Sequence, residues 1–205
     1  MSVYNEAESL QTLITLLGEV EGTRVTLIGD VMLDRYHHGY ANNLNSTAPV
    51  PALRVIYSEE SPGAAAHIAR GLSSLGLSVD LHSSVGDDSE GKCIIKTLSE
   101  DGIDTSGIIE VEGRNTLTKI RFYGSRENLL DQEQILLQAD RGPLDGLDPY
   151  ISESLTKASL ESLSESQALV ISDYNKGVIT EEGSELLISA AKSLGIPSIV
   201  DPKLT

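Results

Sequence analysis

The sequence predicts an α/β fold, in which a doubly wound and mainly parallel sheet carries helices on both faces. Two observations predict this fold. Short apolar runs alternate with segments of helical period along most of the chain, which is typical of strand–helix–strand units. Two stretches, at about 34–61 and 116–139, have no helical period, and the alternation between Leu117 and Tyr123 indicates strands. We expect these two stretches to form a small second sheet over one edge of the main sheet.

The individual elements follow from the same periodicities. Apolar residues at helical spacing predict helices around 10–17, 65–75, 94–98 and 181–194, each followed by a glycine. Thr180 is placed to cap the last of these helices, and Gly195 to end it. Short apolar runs predict buried strands at 25–28, 79–85, 168–171 and 198–200. The serine-rich segment 152–166 is expected to be a surface helix.

Composition excludes several classes of function. The chain has 31 acidic and 15 basic residues and a formal net charge of −16, so its surface should repel nucleic acids and anionic lipids. Aromatic residues make up 4% with no Trp, which argues against base stacking on single-stranded nucleic acid. Cys93 is the single cysteine and can form neither an internal disulfide nor a zinc site alone. No apolar run approaches a membrane span, so we expect a cytoplasmic protein.

The segment 86–93 (GDDSEGKC) nearly fits a phosphate-binding P-loop, but its chemistry does not. Asp87, Asp88 and Glu90 would place negative charge beside the phosphate, and Cys93 replaces the hydroxyl that should hold Mg²⁺. We interpret the segment as a loop leading into a helix with an acidic first turn.

Polar residues collect at the carboxyl ends of the predicted parallel strands, where open α/β sheets bind their ligands. They are Asp30, Asp34, Asp173, Asn175, Lys176, Asp201 and Lys203. The segment 62–66 (PGAAA) leads into a helix whose N-terminus a ligand could approach closely. Carboxylates can accept hydrogen bonds from sugar hydroxyls, and lysines can bind a phosphate group. The two residue types together therefore suit a sugar phosphate. Taken singly, an Asp at a strand end is more often a turn or cap residue.

Seven motifs in order resemble the ribokinase-like (PfkB) carbohydrate kinases, and within that family the kinases of D-glycero-D-manno-heptose 7-phosphate. They stand at 29–36 (GDVMLDRY), 48–51 (APVP), 62–66 (PGAAA), 85–88 (VGDD), 118–121 (TKIR), 172–177 (SDYNKG) and 201–203 (DPK). The resemblance implies a ribokinase-like core with a β-sheet lid, a homodimer formed through that lid, and phosphorylation of the sugar at C1 by ATP with Mg²⁺.

The resemblance also implies roles for individual residues. Asp34 would bind sugar hydroxyls, and Gly63 would border the sugar. Lys119 and Arg121 would bind the 7-phosphate, although both could instead form the solvated face of a lid strand. The floor of the site would be formed by Asp173, Lys176 and Lys203.

The sequence departs from the family in two places near the sugar and in one larger respect. Ala64 and His67 stand where family members usually have Gly and Asn, so these positions bear on which sugar is bound. Nothing in 1–205 matches the Gly-Ala-Gly-Asp motif, whose backbone forms the anion hole and whose Asp is the catalytic base in this family. We therefore expect an incomplete kinase domain that is inactive alone, with the base beyond Thr205.

Three functions remain open on the sequence. The first is ATP-dependent phosphorylation of a heptose 7-phosphate. The second is a non-catalytic, truncated kinase that serves as a sugar-phosphate-binding or dimerisation module. The third is a PfkB kinase for another sugar or a nucleoside.

Overall fold

The computed structural model describes residues 6–125, 133–143 and 145–203. Its helices are α1 (Glu6–Val20), α2 (Ala65–Ser74), α3 (Ser89–Glu100), α4 (Pro149–Leu163) and α5 (Glu181–Leu194). Its strands are β1 (Arg24–Gly29), β2 (Val31–Leu44), β3 (Pro51–Ala64), β4 (Ser78–Gly86), β5 (Ile108–Val111), β6 (Thr118–Ser125), β7 (Gln134–Arg141), β8 (Ala168–Asp173) and β9 (Ser198–Pro202).

The main sheet confirms the doubly wound α/β prediction. Its five strands run parallel in the order β5-β4-β1-β8-β9. One apolar core lies between this sheet and helices α2 and α3, and a second lies on the other face under α4 and α5. The central strand β1 is buried along five of its six residues, as expected of a parallel strand covered on both faces.

A second sheet carries the two stretches that lack a helical period. Its order is β3-β2-β6-β7, with β2 antiparallel to β3 and parallel to β6, and with β6 antiparallel to β7. We call this sheet the lid. In the pairing of β2 with β6, Asp34 lies opposite Lys119, and Tyr36 lies opposite Arg121. The expected small second sheet is therefore present, and it brings the predicted lid residues onto adjacent strands.

The helix boundaries have local causes. Thr180 caps α5 by accepting a hydrogen bond from the Gly183 N–H at 3.0 Å, and Gly195 ends the helix in the left-handed conformation. The predicted helix at 152–166 is α4, but it is not only a surface helix. Ser152 and Ser159 of this helix are buried. Ser159 is tolerated there because its hydroxyl donates a hydrogen bond to the Leu155 carbonyl at 2.8 Å.

Among the described residues, no helix is long and apolar enough to cross a membrane.

Candidate functional site

Asp30, directly after β1, organises the loop that carries Lys176. Its buried carboxylate accepts hydrogen bonds from the backbone N–H groups of Tyr174 (2.9 Å), Lys176 (3.1 Å) and Val178 (3.3 Å). Burial raises the pKa of Asp30, although these three hydrogen bonds oppose the rise. The Arg114 guanidinium donates to the Lys176 carbonyl from the other side at 3.2 Å. Asp30 is thus committed to holding the loop, which is the structural role that an Asp at a strand end more often has.

The loop and the lid enclose a cavity of about 240 Å³ at the carboxyl ends of β8 and β9, which we call the lysine cavity. Lys119 comes to it from the lid, Lys176 from the loop after β8, and Lys203 from the end of β9. The Lys119 ammonium lies 5.8 Å from the centre of the Tyr174 ring, which also lines the cavity. Arg141 and Asp140 complete its charged lining. Arg141 pairs with Glu90 at 3.0 Å, whereas the three lysines have no carboxylate partner among the described ion pairs, so the cavity carries an excess of positive charge that suits an anion.

Asp34 lies beside the lysine cavity on the lid, where it pairs with an arginine. Its carboxylate accepts from Nη1 of Arg121 at 2.7 Å, and both side chains are about four-fifths buried. Arg121 also donates to the Tyr36 hydroxyl at 3.2 Å and to the Gln138 side chain at 3.3 Å. Burial lowers the pKa of Arg121, but the hydrogen bond and charge of Asp34 outweigh it and raise the pKa overall. Arg121 is placed to orient Asp34, and it does not line the lysine cavity.

Gly63 allows Asp34 to lie against the backbone of β3. A Cβ atom at Gly63 would stand 2.1 Å from Oδ2 of Asp34. Because no side chain tolerates such a contact, the carboxylate keeps this position only opposite a glycine. Asp34, Arg121 and Gly63 therefore form one unit.

The chain turns from the lid into α2 through a strained residue. Ala64 has φ 54° and ψ −128°, a conformation that glycine adopts readily and alanine does not. No side chain among the described residues caps the N-terminus of α2. His67 follows in the first turn of the helix and is exposed. The first N–H group of the helix, that of the buried Ala65, donates to the Asp30 carbonyl at 3.0 Å.

An ionic cluster holds the lid to α3. The nearly buried Glu90 carboxylate of α3 accepts from Arg35 of β2 at 3.2 Å and from Arg141 of β7 at 3.0 Å, and Arg35 also pairs with Glu60 of β3 at 2.6 Å. Burial raises the pKa of Glu90, but Ser89 and the two arginines outweigh that effect and lower it. The cluster fixes the lid strands that carry Asp34 and Lys119.

The P-loop-like segment has the structural role that its charges predict. Asp88 caps α3 by accepting from the Gly91 N–H at 2.9 Å, and it also accepts from the Thr116 hydroxyl at 2.6 Å. Lys92 pairs with Asp87 at 2.6 Å. The lysine that would meet a phosphate in a P-loop is therefore already engaged.

The structure brings together most of the residues predicted from the sequence. Lys119, Lys176 and Lys203 share one cavity, and Asp34, Gly63 and Arg121 form the adjoining unit. Asp173 is different, because its carboxylate accepts from the Asn175 N–H at 2.7 Å and shapes the loop. Sequence reasoning did not assign Tyr174 or Arg141 to the site. Tyr174 stands within the 172–177 motif, which could have indicated it, whereas nothing in the sequence singles out Arg141.

Comparison with known proteins identifies a family and relatives of this chain. The pattern described as the pfkB family of carbohydrate kinases matches residues 23–205. The bifunctional protein HldE of Magnetococcus marinus is 36% identical over 182 residues, covering 87% of this chain and 36% of that protein. The bifunctional protein HldE of Actinobacillus pleuropneumoniae is 33% identical over 193 residues, covering 94% of this chain and 38% of that protein. The chain thus spans little more than a third of these relatives.

Solved structures share the fold at lower identity. A putative ribokinase from Agrobacterium tumefaciens matches with a TM-score of 0.61 and 20% identity, over 90% of this chain and 54% of that one. Phosphofructokinase-2 from Escherichia coli, in a tetrameric inhibited form, matches with a TM-score of 0.64 and 21% identity, over 89% and 55%. Arabidopsis thaliana ribokinase, complexed with ribose and ATP, matches with a TM-score of 0.61 and 13% identity, over 90% and 55%. The architecture is accordingly ribokinase-like.

Proposed function

The chain belongs to the pfkB family of carbohydrate kinases, and from this premise we propose that it is the sugar-phosphate-binding part of a heptose kinase. The substrate of that kinase is D-glycero-D-manno-heptose 7-phosphate, and the γ-phosphoryl group of ATP passes to its C1 hydroxyl. The likeness to the HldE proteins, at 33–36% identity, supports a heptose over the other sugars of the family.

The lysine cavity is the observation that carries the proposal. Its three lysines and Arg141 surround a volume of about 240 Å³, which is smaller than the roughly 300–1,000 Å³ of pockets for whole drug-sized ligands. A phosphate group with part of a sugar fits this volume, whereas a whole nucleotide does not. Ammonium groups bind phosphate as point charges, so three of them tolerate several orientations of one phosphate.

Asp34 supplies the hydroxyl recognition that a sugar needs. A carboxylate accepts hydrogen bonds from hydroxyls, and Arg121 and Gly63 hold the carboxylate of Asp34 in one position. A carboxylate so fixed selects hydroxyls by their place on the ring, because a misplaced hydroxyl leaves it without its partner.

ATP and Mg²⁺ would supply the phosphoryl group and neutralise its charge during transfer. In the described residues, no group of three His, Cys, Asp or Glu side chains could hold a metal ion. The nearest buried carboxylate, Asp30, is already saturated by three backbone N–H groups. The role that we propose for the described residues is the binding of the sugar phosphate.

Calorimetric titration with a panel of sugars tests the substrate assignment. We expect heptose 7-phosphate to bind at least tenfold more tightly than fructose 6-phosphate, ribose or a nucleoside. Asp34→Asn should weaken the heptose phosphate at least tenfold, because an amide presents one acceptor and places donors beside Arg121. Glu110→Gln, an exposed carboxylate on β5, is the matched control and should leave binding unchanged. Tighter binding of another sugar would assign the chain to a different substrate.

The lid also supports the homodimer that the family resemblance implies. Its outer strands expose Ile56, Ile135 and Leu137, each more than half accessible. We propose that these exposed apolar side chains belong to the dimer interface. Leu137→Lys should shift the protein from dimer to monomer in analytical ultracentrifugation, and Leu194→Lys, equally exposed on α5, should not. A wild-type monomer at all concentrations would reject the lid dimer.

A further inference from the structure

The lysine cavity contains one carboxylate beside its cationic side chains, that of Asp140 on β7. Among the described residues it is the single acidic side chain in the cavity lining. Asp140 is exposed, and in the register of the lid it lies directly opposite Lys119. Side chains opposite each other on adjacent strands share one face of the sheet, with Cβ atoms about 4.5–5.5 Å apart. None of the described ion pairs joins the two residues, so they do not neutralise each other.

A chain of hydrogen bonds across the lid orients the Asp140 carboxylate. Gln138, two residues earlier on β7, donates from Nε2 to Oδ1 of Asp140 at 3.0 Å. The Oε1 atom of Gln138 accepts from Nε of Arg121 at 3.3 Å, and Nη1 of Arg121 donates to Asp34 at 2.7 Å. These partners fix the orientation of the Gln138 amide, because a guanidinium only donates and a carboxylate accepts. One arginine thus orients two carboxylates, which lie on either side of Lys119 in the register of the lid.

The second oxygen of Asp140 indicates what a ligand of the cavity must offer. Among the described hydrogen bonds, the one from Gln138 reaches Oδ1 and none reaches Oδ2. A phosphate held by the lysines would be repelled by this carboxylate, because both groups are anionic. A hydroxyl on the same ligand removes the conflict, since it donates to Oδ2 while the phosphate oxygens accept from the lysines. The ligand that suits the cavity therefore carries a hydroxyl close to its phosphate.

We infer that Asp140 recognises the C6 hydroxyl of the heptose 7-phosphate, an inference that rests on the proposed function. In that sugar C6 is bonded to the phosphate-bearing C7, so its hydroxyl is the one nearest the phosphate and enters the cavity with it. C6 is also a stereocentre, and its two epimers direct this hydroxyl to different sides of the carbon chain. Asp140 is accordingly a specificity-determining residue for the configuration at C6, whereas Asp34 selects ring hydroxyls from the other side of Lys119.

Calorimetric titration with three heptose 7-phosphates tests this inference: the D-glycero sugar, its L-glycero epimer at C6, and the 6-deoxy sugar. We expect the wild-type chain to bind the D-glycero sugar at least tenfold more tightly than either of the others, because a site built to hydrogen-bond a hydroxyl rejects analogues that do not present it. In Asp140→Ala this preference should fall below threefold. Removing the negative charge changes the affinity for all three phosphates alike, so the ratio of affinities isolates the hydroxyl contact. Glu112→Ala removes an exposed carboxylate outside the cavity and, as the matched control, should keep the preference.

The outcomes distinguish a failure of this inference from a failure of the proposed function. If the wild-type chain binds all three sugars equally well, or if Asp140→Ala keeps the full preference, the role of Asp140 is overturned while heptose phosphate remains the substrate class. Equal weakening of all three sugars by Asp140→Ala also overturns it, since the residue would then have a merely structural role. A wild-type chain that binds none of the three rejects the proposed function, and this inference with it.

Discussion

Ala64 is the residue whose replacement should stabilise the protein most clearly. It joins β3 to α2 with φ 54° and ψ −128°, where the Cβ atom of an L residue meets its own backbone. Glycine has no Cβ and adopts this conformation without strain. Ala64→Gly should therefore raise the free energy of unfolding while leaving the backbone of the site as it is.

The size of the effect follows from two opposing terms. Relief of the strained backbone contributes about 1–3 kcal/mol. The greater freedom of glycine in the unfolded chain removes about 0.4–1 kcal/mol. The difference between these ranges is centred on about 1.3 kcal/mol of net stabilisation. At about 2–4 °C per kcal/mol for a chain of this size, the melting temperature should rise by about 3–5 °C.

Urea denaturation followed by circular dichroism measures the difference, with calorimetry for the melting temperature. Ala190→Gly is the matched control, because it makes the same change within the regular helix α5 and should destabilise by about 1 kcal/mol. The reasoning is refuted if Ala64→Gly destabilises the protein as much as Ala190→Gly does, since Ala64 would then not be strained.

Three further predictions concern the carboxylates. Gly63→Ala should weaken sugar-phosphate binding at least tenfold in calorimetric titration, because its Cβ atom would stand 2.1 Å from the Asp34 carboxylate; unchanged affinity would contradict the assignment of Asp34. Asp30→Asn should destabilise the fold by about 1–3 kcal/mol in urea, because one amide oxygen cannot accept from three backbone N–H groups. Asp88 and Glu90 have pKa values below their usual 3.8 and 4.5, so their contribution to stability is present above those values and is lost as the pH falls through the folded-state values. Denaturation curves between pH 3 and 6 should show that loss of unfolding free energy. The loss should be smaller in Glu90→Gln than in the wild-type chain, and an equal loss in both would exclude Glu90 as a cause.

Local signals in the sequence account for most of the main sheet. The helix α5 begins after its Thr180 cap and ends at Gly195, as the capping residues predict. The strands β1, β4 and β8 match the apolar runs to within two residues at each end. The strand β5 has four residues and was not predicted, because so short a run carries no periodicity of its own.

The candidate site was harder to predict, because its contacts join distant parts of the chain. Lys176 and Lys203 were expected at strand ends, which share one edge of a parallel sheet, whereas Lys119 was expected on the lid only because of the family resemblance. The pairing of Arg121 with Asp34 spans 87 positions and depends on the register of β2 with β6. The family resemblance implied that Arg121 binds the phosphate, and the sequence alone does not reveal the register that pairs Arg121 with Asp34. The sequence likewise does not predict the strained backbone of Ala64, since the strain arises only where β3 turns into α2.

One thermodynamic cycle tests the central claim, that the lysine cavity holds the phosphate of the sugar. The affinities of heptose 7-phosphate and of unphosphorylated heptose are measured for the wild-type chain and for Lys119→Met, with Lys157→Met as an exposed control on α4. We predict that Lys119→Met weakens the phosphorylated sugar at least tenfold and the unphosphorylated sugar less than twofold, since the lost contact exists only with the phosphate. Equal weakening of both sugars, or none of either, would contradict the account.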